Sequence, residues 1–187
     1  MDHFNDHGVV NLAPKPIYKN LSSGMLGTAS GKIEIVNSKW EQAQIPSLLP
    51  YKTKHHPEPG SFRLAVGRCA VHSHGNTINN PALFRLMSEN ELWIHSSAAD
   101  KLNIADGENI QVSKNGFSAA IKARVTEYIH PEAVFMVHGF GRKIPAESRA
   151  YGKGVADNAL MTGGLNQWDT SGGGLAFQEH FVSVRKI

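Results

Sequence analysis

Asn115-Gly116 constrains the chain more than any other dipeptide in it. Both residues tolerate positive φ, and such a pair between alternating runs is the strongest short-range hairpin signal. The run that follows places Phe117, Ala119, Ile121, Ala123 and Val125 on one side, with Ser118, Lys122 and Arg124 opposite. The run that precedes it, 109–114, places Ile110 and Val112 on one side. A period of two is that of a strand with one face buried. The pair therefore predicts an antiparallel hairpin whose apolar face needs a core.

Other segments repeat the pattern. Phe62, Leu64 and Val66 alternate with Arg63 and Ala65, 91–94 is a brief strand, and 181–184 is a last one. Ala133–Val137 is continuously apolar, as expected of a buried strand, and Trp93 is expected in the core. Within 31–36, Ile33 and Ile35 alternate with Lys32 and Glu34, which predicts one further strand. Asn80-Pro81 starts a helix to about Met87, because Asn caps and proline suits the first helical position. Ser97-Ala98-Ala99-Asp100 resembles a capping box for a second helix ending near Leu102. Pro46, Pro50, Pro57 and Pro59 forbid a long helix in 37–60. The predicted organisation is an extended N-terminal arm or linker with one strand over 1–60, then one domain over 61–187. Many short strands and two short helices make that domain mainly β (α+β) and point to a closed or nearly closed barrel.

Composition narrows the function. The 187 residues are 41% hydrophobic, enough for a normal core, and carry a net charge of +3 without a Lys/Arg cluster. Nucleic-acid binding proteins usually show a basic stripe or cluster, so no nucleic-acid partner is expected. A single cysteine, Cys69, excludes an intrachain disulfide and a four-cysteine metal site from this chain. Cys69 reads as a small apolar residue. No apolar run is long enough to span a membrane. Ser–His–Asp order, HExxH, a P-loop and GxGxxG are all absent, so catalysis by this chain alone is not expected.

The densest cluster of hydrogen-bonding residues runs from Val66 to Pro81, VGRCAVHSHGNTINNP. A plain connection does not need so many donors and acceptors. Gly67 permits close backbone approach, Arg68 suits a phosphate or a ring face, and His72, His74, Thr77 and Asn79 donate or accept. The run reads as a loop for a large, polar, phosphate-bearing ligand. A purely structural network is compatible with the same residues. So is a zinc site of His72, His74 and His138 in a free-standing barrel hydrolase, since three histidines can hold a catalytic zinc.

Four motifs together bring a family into view: Thr28-Ala29-Ser30-Gly31-Lys32-Ile33-Glu34-Ile35, the Val66–Pro81 loop, His138-Gly139-Phe140-Gly141, and Gly154-Val155-Ala156-Asp157-Asn158-Ala159-Leu160 followed by a Gly-rich stretch and Phe177-Gln178-Glu179. In this order they resemble the C-terminal molybdopterin-dinucleotide-binding domain of the dimethyl sulfoxide reductase family, most like the thiosulfate/polysulfide reductase catalytic subunits. The resemblance covers about residues 26–187. Two positions depart from the family pattern: Val66 stands where Thr is usual, and Ala29 where Pro is usual.

The resemblance implies a double-psi β-barrel of the aspartate decarboxylase-like kind. It implies a bis(molybdopterin guanine dinucleotide) with Mo or W as ligand, contacted by Gly67, Arg68, His72, His74, Thr77, Asn79, His138, Gly139, Phe140, Asn158 and Gln178, with Glu179 an alternative to Gln178. The metal ligand of the family lies in an earlier domain, and Cys69 does not match it. The implied setting is the C-terminal piece of a molybdenum or tungsten oxidoreductase, a thiosulfate or polysulfide reductase of anaerobic respiration, periplasmic or membrane-associated. Its partners are the remaining domains of the catalytic subunit, where any iron–sulfur cluster sits, and an iron–sulfur electron-transfer subunit.

Overall fold

The computed structural model describes residues 26–47, 56–161 and 180–187, with positions 6, 8 and 174. The chain divides into two compact units, Met1–Lys52 and Thr53–Ile187.

In the first unit, Asn37 caps the helix Ser38–Gln42 by accepting from the N–H groups of Lys39 and Trp40. The strand expected at 31–36 is not formed. Thr28 Oγ1 donates to the Lys32 carbonyl at 2.6 Å and Ser30 Oγ accepts from the Lys32 N–H, which folds the segment into local turns. No strand lies beside it among the described residues of the unit, and Ile33 and Ile35 remain 70% and 79% exposed. Alternation alone does not make a strand; the edge needs a partner.

The second unit is a closed barrel of six strands: β1 (Ser61–Gly67), β2 (Leu92–His95), β3 (Asn109–Lys114), β4 (Phe117–Thr126), β5 (Ala133–Val137) and β6 (His180–Lys186). The order around the barrel is β1-β5-β2-β4-β3-β6. β1 pairs parallel with β5, and β2 parallel with β4; the other four pairs are antiparallel. Exchanging β1, β2 and β3 for β4, β5 and β6 leaves this pairing map unchanged. Two interlocked, pseudo-symmetric halves with one parallel crossover each are the double-psi barrel, in a chain that is mainly β with short helices.

The alternating residues fill the interior. Leu64, Leu92, Ile94, Ile110, Val112, Val134 and Met136 are all fully buried. The register stacks them: Leu64 opposite Val134, Leu92 opposite Met136, Ile110 opposite Ile121, and Val112 opposite Val184. Asn115 and Gly116 close the β3–β4 turn at φ 51° and 82°. Trp93, expected in the core, lies on the outer side of β2 because its neighbours Leu92 and Ile94 take the inner one. There it packs edge-on against Phe135, with the Arg124 guanidinium over its ring.

The helices form where the caps predict, with one difference. Asn80 caps Pro81–Leu86, but His95 rather than Ser97 caps Ser96–Leu102, its Nδ1 accepting from the Ser97 N–H. No helix among the described residues is long and apolar enough to cross a membrane.

Candidate functional site

Parallel pairing of β1 with β5 sets the site. Gly67 and Val137 are register partners at the C-terminal ends of these strands, and the His138 N–H donates to the Gly67 carbonyl at 2.9 Å. The Arg68–Asn80 and His138–Ala156 segments therefore leave the barrel side by side. They approach closely: a side chain on Gly139, at φ 104°, would stand 2.7 Å from the Gly75 nitrogen, and one on Gly141 would strike Ala156. The glycines of His138-Gly139-Phe140-Gly141 thus let loop meet loop, whereas the sequence suggested approach to a ligand.

Two adjoining cavities open here. One, of about 380 Å³, is bordered by Gly67, Arg68, His74, His138, Asp157 and Asn158, with Val66 and Met161 supplying apolar wall. The other, of about 290 Å³, shares His138, Asp157 and Asn158 and adds Gly75, Gly139 and Arg142. Between them stands a hydrogen-bonded pair, half-exposed His138 and buried Asp157. Asp157 is 2% exposed and its Oδ2 lies 2.7 Å from His138 Nδ1. Its Oδ1 accepts from the Gly139 N–H at 3.4 Å. With Nδ1 committed, Nε2 is the His138 ring nitrogen left for a ligand. The His74 ring meets the His138 ring edge-on at 5.5 Å. Arg142 is held by Glu147 at 3.0 Å, whereas Arg68 is exposed and has no ion pair among the described residues.

Several residues expected to touch the ligand are instead fastened to the protein. His72 is 5% exposed, and its Nε2 donates to the Met87 carbonyl at 2.8 Å while Nδ1 faces Thr77 Oγ1 at 3.3 Å. Thr77 Oγ1 also accepts from the Ser73 N–H at 2.9 Å. Asn79 Oδ1 accepts from the N–H groups of Arg149 and Ala150 at 2.9 and 3.0 Å, tying one loop to the other. Phe140 borders the second cavity but, at 3% exposure, belongs to a small core with Ile78, Val137 and Ala150. Cys69 packs against this core, as a small apolar residue would, and its Sγ accepts from the His72 N–H at 3.3 Å. Gln178 and its alternative Glu179 lie outside the described residues. His72, Thr77 and Asn79 build the loops; Gly67, Arg68, His74, His138, Gly139 and Asn158 face the cavities.

The zinc alternative fails on the same geometry. Both His72 nitrogens are taken within the loop. Among the described residues, no three His, Cys, Asp or Glu side chains converge as a metal site requires.

One residue the sequence did not single out organises the whole site. Asn90 is 1% exposed; its Nδ2 donates to the carbonyls of Val137 and Val155, and its Oδ1 accepts from the Val155 N–H, all at 2.9 Å. Each tie lies next to a cavity residue: Val137 precedes His138, and Val155 lies two residues before Asp157. A side chain at Gly154 would strike Asn90 Oδ1, so that glycine makes room for the clamp.

The family described as "Molydopterin dinucleotide binding domain" matches residues 62–178, which include both cavity-forming loops. The chain is 31% identical over 136 residues to the thiosulfate reductase molybdopterin-containing subunit PhsA of Salmonella typhimurium, across 71% of this chain and 18% of that one. It is 27% identical over 169 residues to the probable oxidoreductase YoaE of Bacillus subtilis, across 90% and 23% respectively. Among solved structures, acetylene hydratase from Pelobacter acetylenicus superposes with a TM-score of 0.70 at 16% identity, covering 86% of this chain and 24% of that one, a likeness of fold. This chain spans less than a quarter of the length of each relative. With the family match covering most of the barrel and both loops at its open end, the chain belongs to the molybdopterin dinucleotide-binding domain family.

Proposed function

We propose that the paired cavities hold a phosphate-bearing end of a molybdopterin guanine dinucleotide, and that the chain serves as the cofactor-closing domain of a larger oxidoreductase of the thiosulfate or polysulfide reductase type. The single observation that carries this reading is the donor set at the β1–β5 end. Arg68 has no ion pair among the described residues, His138 is oriented by buried Asp157, and exposed Asn158 borders both cavities.

The donor set fits such a group. A pyrophosphate needs charge-assisted donors, which the Arg68 guanidinium supplies, and the His74 and His138 rings that border the same cavity add N–H donors. His138 is held to Asp157 through Nδ1, which leaves Nε2 to meet a ligand atom. Asn158 offers an amide, able to match a base, ribose or pterin edge. Val66, in place of a hydroxyl residue, gives apolar wall at the mouth of β1. When bound, the cofactor supplies the metal-centred redox chemistry. The chain's own residues bind and orient it and keep one side of it from water. The remaining domains of the parent subunit would cover the other side. The name of the Salmonella relative supports a sulfur-oxyanion substrate.

Isothermal titration of the chain with GDP, a stand-in for the diphosphate-bearing end, tests the assignment. Saturable binding is expected, weakened roughly ten-fold or more by Arg68→Ala, the size of one lost charge-assisted contact. It should also weaken in Asn158→Ala. GDP binding unchanged in both variants, or none at all, would overturn it.

A further inference from the structure

On two strands the inward-facing series ends in a basic residue. On β3 it runs Ile110, Val112 and then Lys114; on β6 it runs Val184, Val182 and then His180. β3 and β6 pair antiparallel, so both series reach the same end of the barrel. There Lys114 Nζ lies 3.1 Å from His180 Nδ1. Phe117, the register partner of Lys114, and Ala119 pack against the core alongside. His180 is 7% exposed and Lys114 is half-buried. Neither residue borders the polar cavities at the ends of β1 and β5, so their chemistry is separate from that of the ligand placed there.

Alternation assigns both positions to apolar side chains, and an ammonium there costs stability unless something pairs with it. Lys114 has no carboxylate partner among the described residues. Lys122 and Lys186, by contrast, lie 2.8 and 2.7 Å from the Glu89 and Glu108 carboxylates. Burial holds the Lys114 ammonium below its ordinary 10.5, whereas the hydrogen bond to Glu89 raises that of Lys122. An amine that loses its proton more readily is the better nucleophile, and an imidazole nitrogen within hydrogen-bond reach is its base. We propose that Lys114 is a site of covalent acylation assisted by His180, with an acyl phosphate as the class of donor. The neutral Nζ attacks the carbonyl carbon and forms the N–C bond. The C–O bond to phosphate breaks, and the phosphate leaves with that electron pair. The proton released by the nitrogen passes to His180 Nδ1 and then, through solvent, to the departing phosphate. The product is a neutral amide, a less costly group than an ammonium at this half-buried end of the barrel.

To test this, the 187-residue chain is incubated with acetyl phosphate, and acetylation of each lysine is followed in time by peptide mass spectrometry. Exposed Lys101 and ion-paired Lys122 serve as internal references. Lys114 should react at least about ten-fold faster than either, a modest share of what a positioned base supplies. In His180→Asn the side-chain oxygen can still take the hydrogen bond but not the proton, so the advantage should be lost while Lys101 reacts as before. His180 is buried, so a second measurement avoids any variant: the wild-type chain unfolded in urea, where the two residues separate and the advantage should also vanish. Lys114 reacting no faster than Lys101 in the folded chain would overturn the proposal and leave the pair as a polar plug of the barrel. An advantage that survives in His180→Asn or in urea would equally overturn it, because the reactivity would then not come from the pair.

Discussion

Asn90, Asp157 and Arg68 do different work, and only their surroundings reveal it. Asn90 satisfies two carbonyls and one N–H that would otherwise be buried without partners. Replacing it with alanine should cost about 2–4 kcal/mol, because each stranded buried group costs about 1–3 kcal/mol. Urea denaturation reads this as a lowered midpoint; an unchanged midpoint would mean that water replaces the clamp. Asp157 orients a histidine, and Arg68 is exposed at the edge of a cavity. In the sequence, Asn79 and Asn158 look alike, as do His72 and His138. One member of each pair braces its own chain and the other borders a cavity, His138 while also bonded to Asp157. The type of side chain tells that hydrogen bonds are made, not with whom. Asn90 sits in a short polar turn with nothing to set it apart, so its role was not legible until both loops were in place.

At the level of elements, most of the barrel could be read directly. Alternation gave β1, β3 and β4 because each has one wet face, and Asn115-Gly116 fixed the turn between two of them. The signal failed where alternation lacked a neighbouring strand, at Ile33 and Ile35, and where an outward tryptophan passed for core, at Trp93. Elements are also tied by charge. Lys186 on β6 hydrogen-bonds Glu108 at 2.7 Å and the Ala105 N–H adds a second contact at 2.9 Å. The Lys186 hydrogen bond and then the Ala105 N–H hold the Glu108 carboxyl below its ordinary 4.5. A depressed carboxyl pKa stabilises the fold above the unfolded value, and the contribution is lost as pH falls through the folded one. Stability should therefore fall on acidification below about pH 4.5, and the fall should be shallower in Glu108→Gln. Thermal melts across pH 3–6 in the two proteins, about that value, check this; identical profiles would contradict it.

For the molecule as a whole, the pairing map is what sequence periodicity could not supply. Alternation names the buried face of a strand but not its partner. Nothing in residues 61–67 or 133–137 says that β1 and β5 run parallel, yet that pairing brings the two loops to one end. The family resemblance provided the topology, and the six-strand pairing bears it out. A closed barrel has no spare edge to absorb a lost core contact. Leu64, fully buried opposite Val134, should cost about 2–5 kcal/mol on truncation to alanine. Chemical denaturation checks the loss; a cost near that of a surface substitution would argue that the barrel interior is loosely packed.

We place the ligand where β1 and β5 end. Backbone amide shift mapping of the labelled chain during a GDP titration addresses it most directly. The largest shifts are expected on Gly67, Arg68, Gly139 and Asn158, with the Asn115-Gly116 hairpin unmoved. Shifts centred on that hairpin, or spread evenly over the barrel, would contradict it.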